Sequence, residues 1–343
     1  MTVYHFFEQE IGGERGLPGR PICSSHMNEC SGIVGGEHMS RRKILSIGAG
    51  LLILVAIAGL AAGPRESFLV STSWLAQHLG DADLVLLHVG EKAEYDARHI
   101  PGARYVPLAD LSAPGEGSSG LTLEMSPPER LRSQLAAIGI SDDSRVVVYY
   151  GKDWVSPSTR VVITLLYAGL QDVSLLDGGM GAWLKDGHQS TDVVPPPQTG
   201  TLAPLRIKPL VVDAEFVRSH VTASGFAVVD ARAALFYDGT QEGGPKDHRK
   251  AGHIAGAHSV PYSDVTTPDL KLKSPEELAA VFSKAGVQPG DTVITYCHVG
   301  QQATATLFAA LTLGHPVLLY DGSFEDWARR DLPVDNPSGK DRK

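Results

Sequence analysis

Cys297 sits in the stretch "TVITYCHVGQQATATLFAALTLG", directly after a β-type run and just before an alanine-rich run with helical character. At a strand-to-helix junction the first N–H groups of the helix lack partners, and the helix dipole adds positive potential. A thiolate placed there is stabilised, so its pKa falls and it becomes a nucleophile near neutral pH. Gly300 permits a tight curl, and a helix predicted from about Ala303 closes the loop, so successive N–H groups can turn towards one sulfur atom or one anion. A free cysteine is also commonly a small buried hydrophobe. The junction itself and the polar neighbours His298, Gln301 and Gln302 favour the reactive reading.

The elements that position this loop occur twice. "HIPGARYVPL" at His99 recurs as "HIAGAHSVPY" at His253, and "LLDGGMGAW" at Leu175 recurs as "LYDGSFEDW" at Leu319. Between the members of each pair lie a β-type run, "RVVVYY" or "TVITY", and an apolar helical run. Strands alternating with helical segments predict α/β units around a mostly parallel sheet. The chain therefore reads as two tandem copies of one α/β domain, at 68–187 and 205–335. The proline-rich stretch 188–204 is the expected linker, because clustered prolines keep a chain extended. A polar tail, 336–343, closes the chain.

Composition bounds the partners. With 343 residues, 43% hydrophobic content and a net charge of −9, the chain has the makeup of a soluble globular protein. The negative balance argues against a nucleic-acid partner. Of the three cysteines, Cys23, Cys30 and Cys297, the first two precede "MSRRKILSIGAGLLILVAIAGLAAG". That segment, 39–63, has the basic start, apolar run and small terminal residues of an export signal, with cleavage after Ala61 or Gly63. At roughly 20 apolar residues it also suffices for an uncleaved membrane anchor. "SRRKIL" resembles a twin-arginine signal. Residues 1–38 are expected to be a disordered leader, or to lie upstream of a true start at Met39. The expectation is an exported chain, periplasmic or held at the inner membrane by this segment alone, with a single thiol and no disulfide framework.

"GHIAGAHSVPY", the strand "FAVVDAR", the cysteine loop and "YDGSFEDW" together resemble the rhodanese sulfurtransferases, in order and in spacing, across roughly residues 68–335. The resemblance implies two tandem rhodanese-like domains. It further implies transfer of the outer sulfur of a donor such as thiosulfate through a Cys297 persulfide to cyanide or a thiol acceptor, with no metal or organic cofactor. Carried over by motif, Cys297 is the catalytic residue and His298, Val299, Gly300, Gln301, Gln302 and Arg232 bind substrate. Asp230 is a supporting anchor rather than a base. His253 is expected to be a hydrogen-bonded core histidine.

Aligning the copies sets His88 against Asp230, Gly90 against Arg232 and Tyr150 against Cys297, so only the second domain is expected to be catalytic. The first loop, "YGKDWVSPSTR", reads as longer and, with Pro157, unable to form the same cradle; Lys152 and Trp154 are candidates to face the site. The second copy carries an extra "DGTQEGGPKDHRK", expected as a surface loop at the cleft whose Lys246, His248, Arg249 and Lys250 attract anionic donors. The catalytic loop matches neither the Arg/Lys pattern of thiosulfate-preferring relatives nor the Gly/Ser pattern of mercaptopyruvate-preferring ones. His298 would replace the missing charge only when protonated, with a reference pKa near 6.5. Two other readings use the same cysteine. A phosphatase or arsenate reductase needs an arginine where Gln301, Gln302 and Ala303 stand. A non-enzymatic periplasmic persulfide carrier would hand sulfur to a partner protein.

Overall fold

The computed structural model describes residues 64–113, 120–152 and 155–339. The expected leader and export or anchor segment lie outside these residues, as does Trp154. Among the described residues no helix is long and apolar enough to cross a membrane.

The first half runs α1 (Pro64–Phe68), β1 (Leu69–Val70), α2 (Thr72–His78), β2 (Leu84–Val89), α3 (Lys92–Ala97), β3 (Arg104–Tyr105), α4 (Pro128–Ala137), β4 (Arg145–Tyr150), α5 (Ser156–Tyr167), β5 (Val173–Leu176) and α6 (Gly179–Lys185). The second half runs β6 (Val211–Val212), α7 (Ala214–His220), β7 (Phe226–Asp230), α8 (Ala234–Tyr237), β8 (Glu242–Gly243), β9 (Lys250–Ala251), β10 (His253–Ile254), β11 (His258–Ser259), α9 (Pro275–Lys284), β12 (Thr292–Tyr296), α10 (Ala303–Thr312), β13 (Val317–Tyr320), α11 (Ser323–Arg329) and β14 (Val334–Asp335).

Each half builds a five-stranded sheet, β1-β5-β4-β2-β3 and β6-β13-β12-β7-β11, the same order in both copies. The pairings are parallel throughout. Such a sheet has both faces covered, which is why its central strands are runs of Val, Ile and Tyr without polar alternation. In β12 every residue after Thr292 is buried. The carboxyl ends of strands in open α/β sheets are where ligands bind, and Cys297 is the next residue after β12.

Helices α5 and α10 follow the two central strands and meet across the domain boundary. Thr159 Oγ1 and Thr304 Oγ1 lie 2.9 Å apart in a hydrogen bond. One apolar core runs through the seam, with Val161 and Leu165 on one side and Leu307 and Phe308 on the other. Covered by its own sheet and by α5, α10 is buried at every residue but Leu311. A helix hidden on all sides needs small and apolar residues all round, hence "ATATLFAALT".

One expectation changes here. Helix α5 begins at Ser156 with Pro157 in its first turn, where a proline's fixed φ and missing N–H cost nothing. It therefore starts six residues after Tyr150, as α10 starts six after Cys297, and the first loop is no longer than the second. The glycine-rich insertion is largely exposed, as expected of a surface loop, and its ends are joined by an antiparallel pairing of β8 with β9. The stretch 188–204 is extended and stitched to the first domain: His99 and Thr191 exchange backbone hydrogen bonds of 2.7 and 2.9 Å, and His99 Nε2 bonds the Val193 carbonyl at 3.1 Å.

Candidate active site

The register of the second sheet places Tyr296 beside Asp230, so Cys297 and the Ala231–Arg232 segment leave the same end of neighbouring strands side by side. Cys297 is fully buried there. Its N–H donates to Ser323 Oγ at 3.1 Å, and its carbonyl accepts the Phe324 N–H at 3.0 Å. The turn after β13 thus grips the cysteine's own peptide from both sides. Ser323 has φ +53, a conformation costing a non-glycine residue about 1–2 kcal/mol, and its hydroxyl in turn donates to the Tyr320 carbonyl at 2.9 Å.

Beyond the cysteine the chain curls through Gly300 at φ +81, and α10 begins at Ala303. The N–H groups of His298, Val299, Gly300, Gln301 and Gln302 have no acceptor among the described residues. That leaves unpartnered donors at the positive end of a helix, the arrangement that receives an anion. Val299 is half-buried. Gln301 donates through Nε2 to Ser156 Oγ of the other domain at 3.3 Å, whereas Gln302 Oε1 is buried with no partner among the described residues.

Asp230 and Arg232 are both fully buried. The Asp230 carboxylate accepts from the Arg232 N–H at 2.9 Å, from Nε at 3.0 Å and from Nη2 at 2.6 Å, and from the Tyr296 hydroxyl at 2.8 Å. A carboxylate so saturated is an anchor and has no lone pair to spare for proton transfer. Nη2 also donates to the Gly252 carbonyl at 2.9 Å. The guanidinium does not offer the open fork expected from sequence, since Nε and Nη2 are committed. Only Nη1 is buried and unpartnered among the described residues. Although burial works against the charge, Asp230 beside it holds the Arg232 pKa above its ordinary value, with Cys297 among the neighbours that favour the cation. The guanidinium carbon stands 3.9 Å over the Phe324 ring, a cation–π contact that fixes its plane.

His298 corrects another expectation. Burial first, and Arg232 second, push its imidazole down to about 4, so it is neutral at pH 7 and supplies no loop charge. Its ring meets Phe236 edge-on at 4.4 Å. The inserted hairpin also departs from expectation. Its basic residues His248, Arg249 and Lys250 line a separate cavity of about 400 Å³ with Glu242, Asp247 and Asp331, which includes no residue of the cysteine loop. What the hairpin brings to the site is Gly243: a Cβ there would stand 2.6 Å from Arg232 Nη1 and 3.2 Å from Phe324. His253 is buried, stacked on Tyr237 at 3.6 Å and bonded through Nδ1 to the Tyr237 carbonyl at 2.7 Å.

Duplicated sheets, a cysteine at the β12–α10 junction and a buried arginine beside it define a recognisable pattern. The description "Rhodanese-like domain" matches residues 71–186 and again 213–330. The chain belongs to the rhodanese family. It is 32% identical to thiosulfate sulfurtransferase of Rattus norvegicus over 279 residues, 77% of this chain and 93% of that one. It is 31% identical to the sulfur carrier protein TtuD of Thermus thermophilus, covering 76% and 93%. The 3-mercaptopyruvate sulfurtransferase of Rattus norvegicus is 30% identical over 77% and 93%.

The first rhodanese-like domain lacks the equipment of the second. His88 is fully buried with both ring nitrogens unpartnered among the described residues, and burial pushes it down to about 4. Tyr150, in the cysteine's place, donates its hydroxyl to the Leu270 carbonyl of the second domain at 2.6 Å and accepts the Gly178 N–H at 2.9 Å. Lys152 is exposed and paired with Glu94 of its own domain at 3.0 Å. Sequence reasoning missed Ser323, Gly243, Ser156 and Arg160. Ser323 stands where the first copy has Gly179, also at positive φ, and that exchange within "LYDGS" was the one available signal.

Proposed function

We propose that this chain is a rhodanese-type sulfurtransferase that moves sulfane sulfur from thiosulfate, or a related anionic donor, through a Cys297 persulfide to cyanide or a thiol. The observation that carries the reading is Arg232 Nη1, buried beside a cysteine and, like the N–H groups of the five residues that follow it, unpartnered among the described residues. Together they make a positive environment suited to an oxyanion and to a persulfide.

In the first half-reaction the Cys297 thiolate attacks the outer sulfur of thiosulfate. A sulfur–sulfur bond forms on the enzyme, the donor's sulfur–sulfur bond breaks, and sulfite leaves with that electron pair. In the second, the cyanide carbon takes the outer sulfur as thiocyanate, and the thiolate returns. Splitting the transfer in two through a covalent intermediate lowers each barrier, and fixed donors aimed at the developing anions stabilise both steps. Arg232 Nη1 and the loop N–H groups receive the donor's sulfonate oxygens and then hold the persulfide. Val299 and the curl at Gly300 shape the loop, and Gln302 offers an acceptor. Because His298 is neutral, the donor meets one fixed cation. Thiosulfate and mercaptopyruvate, both anions, are therefore discriminated by shape, and we place thiosulfate first.

Intact mass after mixing with thiosulfate should show one added sulfur on Cys297, and added cyanide should release thiocyanate over many turnovers. The absence of sulfur uptake with either donor would refute the reading. The complete burial of Cys297 and the Thermus thermophilus relative favour one alternative, a persulfide carrier. It predicts a stable persulfide that cyanide discharges negligibly and a thiol-bearing protein discharges quickly.

We further propose that the segment 39–63 directs export to the periplasm or anchors the chain in the inner membrane. Cell fractionation with a tag at the C-terminus tests it, and a cytosolic full-length product would overturn it.

A further inference from the structure

We infer that Arg160, on helix α5 of the domain without the cysteine, is a positioning residue for the Cys297 loop. Its side chain is 1% exposed. Nη1 donates to the Gly300 carbonyl at 3.2 Å and to Asp321 Oδ1 at 2.5 Å. Nη2 donates to the Leu123 carbonyl at 2.5 Å. The other oxygen of Asp321 accepts the Met125 N–H at 2.7 Å. One guanidinium therefore ties the catalytic loop, the end of β13 and the α4 approach of the other domain into a single node.

The loop is pressed onto this node. A Cβ on Gly300 would fall 2.7 Å from the Asp321 carbonyl oxygen, 3.0 Å from Arg160 Nη1 and 3.1 Å from Asp321 Oδ1. The turn after β13 thus fixes both ends of the curl: Ser323 holds the N–H of Cys297, and Asp321, through Arg160, holds the carbonyl of Gly300. Neighbouring contacts point the same way, since Ser156 receives Gln301 Nε2 and Thr159 bonds Thr304.

The arrangement is one-sided. Counted from the helix starts at Ser156 and Ala303, the residue matching Arg160 is Leu307, so the seam accepts an apolar side chain at this place. A buried ion pair is weak evidence for stability when an apolar residue can fill the site, and the specificity of an arrangement is the better account of it. Here the arrangement specified is the curl of the cysteine loop at Gly300, whose carbonyl Arg160 holds.

The inference rests on Cys297 being the sulfur-accepting atom. Its test is single-turnover sulfur loading from thiosulfate, followed by intact mass, in the wild type, in Arg160→Lys and in the double variant Arg160→Met/Asp321→Asn, which removes both buried charges together. Displacing the loop by about 1 Å should slow loading at saturating donor by about 10- to 100-fold while the donor's half-saturating concentration moves much less, with Arg160→Lys recovering part of the rate. Loading within about twofold of wild type in either folded variant would overturn the inference. So would a loss matched by the fraction unfolded in a thermal melt. A wild type that takes up no sulfur would instead sink the proposed function, and this inference with it.

Discussion

Two junctions in this molecule have the same frame and opposite contents. Both follow the central strand of a five-stranded sheet, and both reach a helix six residues on. Both lie beside a tyrosine whose hydroxyl accepts a backbone N–H from the "HIxGA" segment: Tyr149 takes it from Ile100 and Tyr296 from Ile254. In the first, Tyr150 fills the position and spends its hydroxyl on Leu270 across the seam. In the second, the matching Leu123 carbonyl is taken by Arg160, so the cysteine is free of any clasping duty. Dividing the labour this way lets one copy stabilise the pair while the other keeps a buried guanidinium nitrogen, Arg232 Nη1, unpartnered among the described residues beside its cysteine, a liability without a substrate.

The sharpest way to break this comparison is to exchange the contents. Cys297→Ser should abolish sulfur uptake completely. Tyr150→Cys should add no second sulfur per chain by intact mass, because Gly90 and His88 offer no cation where Arg232 and Asp230 stand. Two sulfurs would show that the frame alone suffices.

The next effect is on the buried pair. Asp230→Asn leaves the Arg232 charge without its counter-ion and should cost about 3–5 kcal/mol of stability, read by denaturant unfolding, along with most of the loading rate. A melt unchanged from wild type would contradict the anchor role.

The first domain's counterpart should behave differently, through pH. His88 titrates near 4 in the fold and near 6.5 when unfolded, so below about pH 6.5 the unfolded chain binds the extra proton. Stability is full above pH 6.5 and falls as pH drops towards 4, by about 3 kcal/mol in all. His88→Phe should flatten that acid slope in urea titrations, and an unaltered slope would show that other groups set it.

The smallest effect is expected at His298. Neutral throughout pH 6 to 8, it should leave the thiosulfate dependence of turnover unchanged over that range, and the profile of His298→Gln should overlay that of wild type. A wild-type affinity that weakens across pH 6 to 8 and is lost in the variant would restore the charge that burial removes.

The repeat, the strand and helix types and the junction around Cys297 were legible because each is local. β-Branched runs, glycine at a positive-φ curl and a short motif recurring in order need no knowledge of distant contacts. Motif alignment also paired Tyr150 with Cys297 and His88 with Asp230, as the matching registers bear out. Pro157 misled, because a proline in sequence reads as a breaker whereas at the start of a helix it is an ordinary first-turn residue. The basic string Lys246 to Lys250 misled because charge says nothing about direction, and the hairpin turned His248, Arg249 and Lys250 towards another cavity.

By itself, then, the sequence determined two α/β copies, one of them holding the only cysteine in residues 64–343, since patterning along a chain suffices for both. The tertiary structure alone decided which nitrogen of Arg232 is left open, that burial neutralises His298, that Ser323 holds the cysteine's N–H, and that Arg160 reaches the loop from the other domain. Those outcomes depend on burial and on contacts between residues up to 161 positions apart, and neither is written in any local stretch of residues.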